Sequence, residues 1–169
     1  MGVTIHFEGR LKTNEDFDAV MKKAREFADK HSSGIVSLDS DKKLLKRVKD
    51  ERNWDYEGEV RGLQIQPHEN SDPLILEFDK DLYIQEYCKT QFAGVSLHIA
   101  IVEFLRSVEP CFEKLSVVDE GEFWDTNDIK ILEGKFEDFF AAFESAIREN
   151  PQLKGPFRMR DGRIVDLME

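Results

Sequence analysis

The chain has 169 residues, of which 40% are hydrophobic and 35% charged, and these totals predict one globular domain, residues 1–169. Its net charge of −11 would repel nucleic-acid phosphates and anionic lipid, so neither is expected as a partner. No apolar run approaches the roughly 18 residues of a membrane span, and the first residues do not resemble a secretory signal. Two cysteines cannot form a disulfide framework, which favours a cytoplasmic protein.

The chain opens with a strand followed by a helix. Residues 3–11 alternate between apolar and polar side chains, which predicts a half-buried strand. Thr13, with Asp16 three residues later, has the chemistry of a helix N-cap. The helix is predicted to end before Ser33-Gly34. Its apolar positions recur at amphipathic spacing: Phe17, Val20, Met21, Ala24, Phe27 and Ala28.

The middle of the chain is predicted to hold one short helix and three strands. Ser40 can cap a short basic helix that reaches Val48. Three segments rich in strand-forming residues follow, at about 57–66, 73–79 and 82–92. The short acidic link between the last two suits a hairpin turn, so the three strands are expected to form an antiparallel meander.

The last third predicts two further helices, one strand and a terminal hairpin. Residues 94–108 read as a helix and residues 114–118 as a strand. Residues 125–128, Asp-Thr-Asn-Asp, have the cap chemistry for a long helix whose phenylalanines form one stripe. The Asp-Gly pair within residues 160–163 is typical of a hairpin turn between apolar flanks.

The predicted fold class is therefore α+β. We expect a single two-layer domain in which a mostly antiparallel sheet of about five or six strands packs against two long helices and one short helix.

Cys88 and His98 form one candidate catalytic pair. Cys88 follows strand-like residues and His98 opens a helix, so a thiol and an imidazole can come close, with Gln91 or helix-start amides stabilising an oxyanion. However, the even positions of the strand are its more apolar face, and His98 shares its helix face with Ile101 and Val102. Burial of both residues in the core is the favoured interpretation, and catalysis is the alternative.

The acidic loop 118–128 is the second candidate site. It does not match the spacing of a calcium loop, and carboxylates are too abundant here to identify a catalytic pair. An aromatic pair inside so many carboxylates could anchor a basic partner, or it could simply cover the end of the core. The candidate partner-binding residues are Glu120, Glu122, Phe123, Trp124 and Asp125.

No cofactor or metal is expected, because the chain lacks glycine-rich phosphate loops and pairs of histidines or cysteines at ligand spacing. The first functional hypothesis is an acidic protein-binding or inhibitor (immunity-like) module that engages a basic protein partner. The alternatives are a small enzyme that uses the Cys88–His98 pair and a small-molecule-binding domain.

Overall fold

The structure is built from antiparallel strands with helices packed on one side of them. The computed structural model describes residues 2–31 and 33–169. The main strands in chain order are β1 (Thr4–Leu11), β2 (Ile35–Ser37), β3 (Ser40–Leu45), β4 (Val48–Lys49), β5 (Arg52–Asn53), β6 (Tyr56–Ile65), β7 (Leu74–Asp79), β8 (Tyr83–Lys89) and β9 (Phe112–Asp119). Ile5 and Phe7 of β1 are buried, whereas His6 between them is exposed. The predicted alternation is confirmed.

Two antiparallel sheets lie side by side. In the first, β1 is central and pairs with β8 on one side and β9 on the other. In the second, β6 is central and pairs with β7 on one side and with β2 and β3 on the other. The strands predicted at 57–66, 73–79 and 82–92 all form, but the ladder of β8 is made with β1 and not with β7.

The helices cover one face of the sheets. They are α1 (Asn14–Lys30), α2 (Val95–Val108), the single turn α3 (Phe123–Thr126) and α4 (Ile129–Glu149). Thr13 caps α1 by accepting the N–H of Asp16, and Asp128 caps α4 by accepting the N–H of Lys130. Apolar side chains from the sheets and these helices form one core. The α+β fold class is confirmed, and three helices of 14 residues or more form its helical layer.

The short basic helix predicted from Ser40 to Val48 is wrong. Ser40–Leu45 is strand β3, which pairs antiparallel with β6, and Val48 begins a small hairpin of β4 and β5. Lysine and leucine favour helices, but pairing with a central strand outweighs such propensities, which amount to a few tenths of a kcal/mol per residue.

The predicted terminal hairpin is confirmed as β10 (Phe157–Arg158) and β11 (Ile164–Val165). None of the helices within residues 2–31 and 33–169 combines the length and apolar character that a membrane crossing requires.

Candidate binding groove on the open sheet face

The face of the sheets that the helices leave open carries a groove of about 1140 Å³. Its lining comes from strands of both sheets, from β4 and β5, and from the loop between β10 and β11. We refer to this feature as the sheet-face groove.

The floor of the groove follows from the alternation in three neighbouring strands. His6 of β1 lies opposite Tyr87 of β8 and Val118 of β9. Glu8, two residues further along β1, lies opposite Gln85 and Ser116. Because residues directly opposite each other share a face, these side chains all point to the open side.

Large apolar side chains around the groove are exposed. Val118 is 66% exposed and Val48 is 54% exposed, and Leu44 and Tyr87 are partly open to solvent as well. Isolated exposed apolar residues are ordinary on protein surfaces, but four around one concave feature are typical of an interaction site.

Arg47 fixes one wall of the groove. Its guanidinium donates to Asp79 (2.8 Å) and to the carbonyl oxygen of Tyr83 (3.2 Å), and it is almost fully buried. The rings of Trp54, Tyr56 and Tyr83 surround it, with centroids 5.0–5.7 Å from the guanidinium carbon. This combination of a carboxylate and three aromatic faces makes Arg47 an anchor for the β3–β4 connection.

Gln85 holds the same wall through the backbone of β4. Its side-chain oxygen accepts the N–H of Val48 (2.9 Å), and its side-chain N–H donates to the carbonyl oxygen of Val48 (2.8 Å). The side-chain amide of Gln85 thereby makes the two hydrogen bonds that a residue of a neighbouring strand would make. It holds β4 against the floor of the groove.

Arg163 fixes the opposite wall. Its guanidinium pairs with Glu86 (2.6 Å), donates to the carbonyl oxygen of Tyr87 (2.9 Å) and lies 3.8 Å from the centre of the Tyr87 ring. Asp72, which is fully buried, accepts the backbone N–H of Ile164 (2.7 Å) and lies 3.6 Å from Arg163. The C-terminal hairpin is therefore fastened to β8 and to Asp72 in the segment before β7.

The charges of the groove are unequal once the internal ion pairs are counted. Three of its four cationic side chains, Lys43, Arg47 and Arg163, are paired with Glu77, Asp79 and Glu86 respectively. The fourth, Lys46, makes no ion pair within the described part of the chain. The same holds for three lining carboxylates, Glu8, Asp55 and Asp161. The remaining charge in the groove is therefore negative.

Glu86 in the groove and Tyr83, which bonds to Glu8 of the groove, titrate away from their ordinary ranges. Burial raises the pKa of Glu86 by more than the guanidinium of Arg163 lowers it. Burial and then the hydrogen bond to Glu8 raise the pKa of Tyr83, so its hydroxyl remains a donor to that carboxylate. Glu8 also accepts the side-chain N–H of Gln85 (3.0 Å).

On the other side of the sheet, His98 takes part in a buried polar network. Its Nδ1 lies 2.7 Å from the hydroxyl of Thr90, and its Nε2 lies 2.9 Å from Asp119. Asp119 also accepts the N–H groups of Gly121 (2.7 Å) and Trp124 (2.9 Å). Burial alone would raise the pKa of Asp119, but the hydrogen bond and charge of His98 and the two amides outweigh it, and the pKa is lowered.

Cys88 and His98 are both buried, as the packing interpretation predicted, and neither is exposed to solvent. The Sγ atom of Cys88 lies 3.5 Å from the carbonyl oxygen of Asp72, and burial raises the pKa of the thiol. Both ring nitrogens of His98 are engaged by Thr90 and Asp119, so the imidazole has no nitrogen left for the thiol. Gln91 bonds to the backbone N–H of Val3 and to Asp166 instead of forming an oxyanion site.

The aromatic residues of the acidic loop lie against the core. Phe123 is buried, and Trp124 is partly buried against the same cluster. Arg106 of α2 donates to the carbonyl oxygens of both residues (3.1 Å each), and its guanidinium lies over both rings. Trp124 is thus partly occupied by internal contacts.

The three predicted partner-binding carboxylates of that loop point in different directions. Glu120 accepts the N–H of Thr4 (2.8 Å) and lies 3.7 Å from His6, which lines the sheet-face groove. The nearby His6 side chain, ahead of the opposing effect of burial, lowers the pKa of Glu120. Glu122 pairs with Lys135 of α4 (2.5 Å), and Asp125 is exposed. Of the predicted partner-binding residues, Glu120 alone contacts a residue of the groove.

Sequence reasoning did not select the groove residues Arg47, Tyr87 and Val118 as partner-binding residues. Val118 carried a usable signal, because it is an apolar residue on the polar side of the alternation in β9. Arg47 carried none, since a lysine- and arginine-rich segment is usually a solvated surface.

Within residues 2–31 and 33–169, no cluster of three or more histidine, cysteine, aspartate or glutamate side chains is arranged to hold a metal ion. No protein-family model matches the chain, and no significant match was found among curated proteins or solved structures.

Proposed function

We propose that this chain is a protein-binding module of the inhibitor (immunity-like) kind, which holds a basic segment of a partner protein in the sheet-face groove. The observation that carries the proposal is the pairing of charges: carboxylates neutralise Lys43, Arg47 and Arg163. Among the residues that the structure describes, the carboxylates Glu8, Asp55 and Asp161 accept hydrogen bonds from uncharged groups but form no ion pair, and they outnumber the one unpaired lysine of the groove, Lys46. A concave surface with negative charge favours a cationic partner and raises its rate of association.

The apolar residues around the groove supply the second requirement of a protein interface. Val118, Val48, Leu44 and Tyr87 give it apolar surface, and the carboxylates surround that surface with polar groups. Interfaces commonly have such an apolar centre with a polar rim. A partner segment that alternates basic and apolar side chains would satisfy both.

Openness favours a protein segment over a small ligand. Small-molecule pockets usually hold about 300–1000 Å³ and enclose most of the ligand. The sheet-face groove has a volume near the top of that range, about 1140 Å³, but it is open and its apolar side chains are exposed. Glu120 extends it at the end where His6 lies, so part of the acidic loop belongs to the proposed contact surface.

The test is an NMR titration of the isotope-labelled chain with a synthetic peptide of alternating lysine and valine. We expect amide shifts along β1 and β9, concentrated around Glu8 and Val118, and weaker binding as salt rises. A peptide of alternating glutamate and valine serves as the reference and should cause no such shifts.

Matched variants locate the charges that matter. The double change Glu8→Gln and Asp161→Asn should weaken the peptide about tenfold, because it removes two carboxylates from the groove. The control, Glu137→Gln with Glu144→Gln, makes the same change in net charge on the exposed face of α4 and should leave affinity nearly unchanged. The groove would be contradicted as the site if both double variants lost peptide affinity equally. It would also be contradicted if the amide shifts were centred on Trp124.

A further inference from the structure

Strand β9 is the free edge of its sheet. It pairs with β1 and with no other strand in the described part of the chain. The N–H of Glu120 donates to Thr4, directly opposite it, so the even-numbered residues of β9 bond to β1. The backbone groups of Leu115 and Val117 must therefore point away from the sheet, and within residues 2–31 and 33–169 no segment bonds to them.

The centre of this edge lacks the features that usually prevent strands from pairing. Its sequence, Phe112–Asp119, contains no proline, and its register shift is confined to the end near Leu11. Val118 is 66% exposed on the groove side, and Val117 is half-buried on the core side. An open edge with exposed valines is a template for another strand.

The charges of β9 are complementary to those of a second copy of the same strand. If two β9 strands pair antiparallel around a two-fold axis at Val117, Lys114 of each copy lies opposite Glu120 of the other. Ser116 then lies opposite Val118, on the same face. An axis at Ser116 would instead place Glu113 opposite Asp119, two like charges.

We propose that two copies of this chain associate through β9, in the register centred on Val117, to form a continuous six-stranded antiparallel sheet. Val117 and its counterpart exchange two N–H···O bonds at the axis and bring their side chains together. This inference goes beyond the proposed function, because it concerns a second copy of the chain and not a basic partner.

The first test compares the wild type with Val117→Pro and Val117→Thr by sedimentation equilibrium. About 0.15 M salt is suitable, since a Debye length of about 8 Å limits repulsion between two copies of charge −11. The proline removes an outward N–H and leaves the bonds to β1 intact, so the fold should survive, as amide NMR spectra can verify.

We expect a concentration-dependent dimer for the wild type and for Val117→Thr, which keeps both the N–H and a β-branched side chain. Val117→Pro should raise the dimer dissociation constant about tenfold or more, because two backbone hydrogen bonds are lost per dimer. A wild type that stays monomeric at every concentration, or a Val117→Pro variant that dimerises as well as the wild type, would overturn the proposal.

The second test fixes the register by charge reversal. Lys114→Glu should weaken the dimer, since it places two glutamates opposite each other at both ends of the interface. Adding Glu120→Lys should restore affinity by inverting the pair. Failure of the double variant to recover, in a protein that remains folded, would overturn the register centred on Val117.

Discussion

The two sides of the sheet use the same kinds of residue in opposite ways. On the helix side, Thr90, His98 and Asp119 are buried and bonded to one another. On the open side, His6 and Glu120 lie near each other at an exposed surface, and Glu8 faces a groove.

The difference shows why residue type alone does not identify a site. A histidine and a carboxylate that bond to each other inside the core stabilise the fold. Leaving either group buried without a partner costs more free energy than the hydrogen bond itself contributes. A surface that binds another molecule needs charge and apolar area that the chain has not already used. The sheet-face groove offers both, whereas Thr90, His98 and Asp119 are already bonded to one another in the core.

The largest expected contrast concerns the reactivity of Cys88. In the folded Cys111→Ser variant, iodoacetamide should modify Cys88 at least about a thousand-fold more slowly than in the unfolded chain, because access requires an opening that costs several kcal/mol. Burial, which raises the pKa of the thiol, acts in the same direction.

Mass spectrometry of timed samples, with and without urea, measures both rates. Rapid modification of the folded variant, slowed by replacing His98, would revive the enzyme hypothesis and place chemistry on the helix side.

The next contrast is between two Asp→Ala changes. Asp119→Ala should lower the free energy of unfolding by about 3 kcal/mol or more, since it leaves His98 and the amides of Gly121 and Trp124 without their acceptor. Asp161→Ala, at an exposed position in the groove, should cost about 0.5 kcal/mol. Urea unfolding of both variants gives the two values, and similar costs would mean that the two sides do not differ as described.

Local patterns predicted the elements that depend on local chemistry. The alternation in β1, the cap Thr13, the cap within residues 125–128 and the terminal hairpin each rest on neighbours within a few residues. Ser40–Leu45 could not be assigned in that way, because its strand state depends on β6, more than ten residues further along the chain.

The candidate site was less accessible to sequence reasoning than the fold. Burial of Cys88 and His98 follows from parity and helix spacing, and both were placed correctly in the core. The groove, however, depends on which charges are neutralised, and Arg163 meets Glu86 across 77 positions of sequence. No local pattern in the chain contains that pairing.

The smallest expected effects are opposite slopes of stability with pH on the two sides. The pKa of Asp119 is lower in the folded chain than the ordinary carboxyl value near 4. Between these two pKa values the unfolded chain binds more protons than the folded chain, so the free energy of unfolding falls as pH drops through that range. The pKa of Glu86 is raised, so just above its ordinary value the folded chain binds more protons, and stability falls as pH rises.

Asp119→Asn should therefore flatten the loss of stability below about pH 4, and Glu86→Gln should flatten the decline that begins above about pH 4.5. Urea unfolding at closely spaced pH values from acid to neutral measures both slopes relative to the wild type. Both variants could instead alter the free energy of unfolding in the same pH range and in the same direction. The buried network and the wall of the groove would then share one electrostatic environment. Opposite changes would show that ionised Asp119 stabilises the fold. They would also show that ionised Glu86, beside the proposed binding surface, lowers its stability.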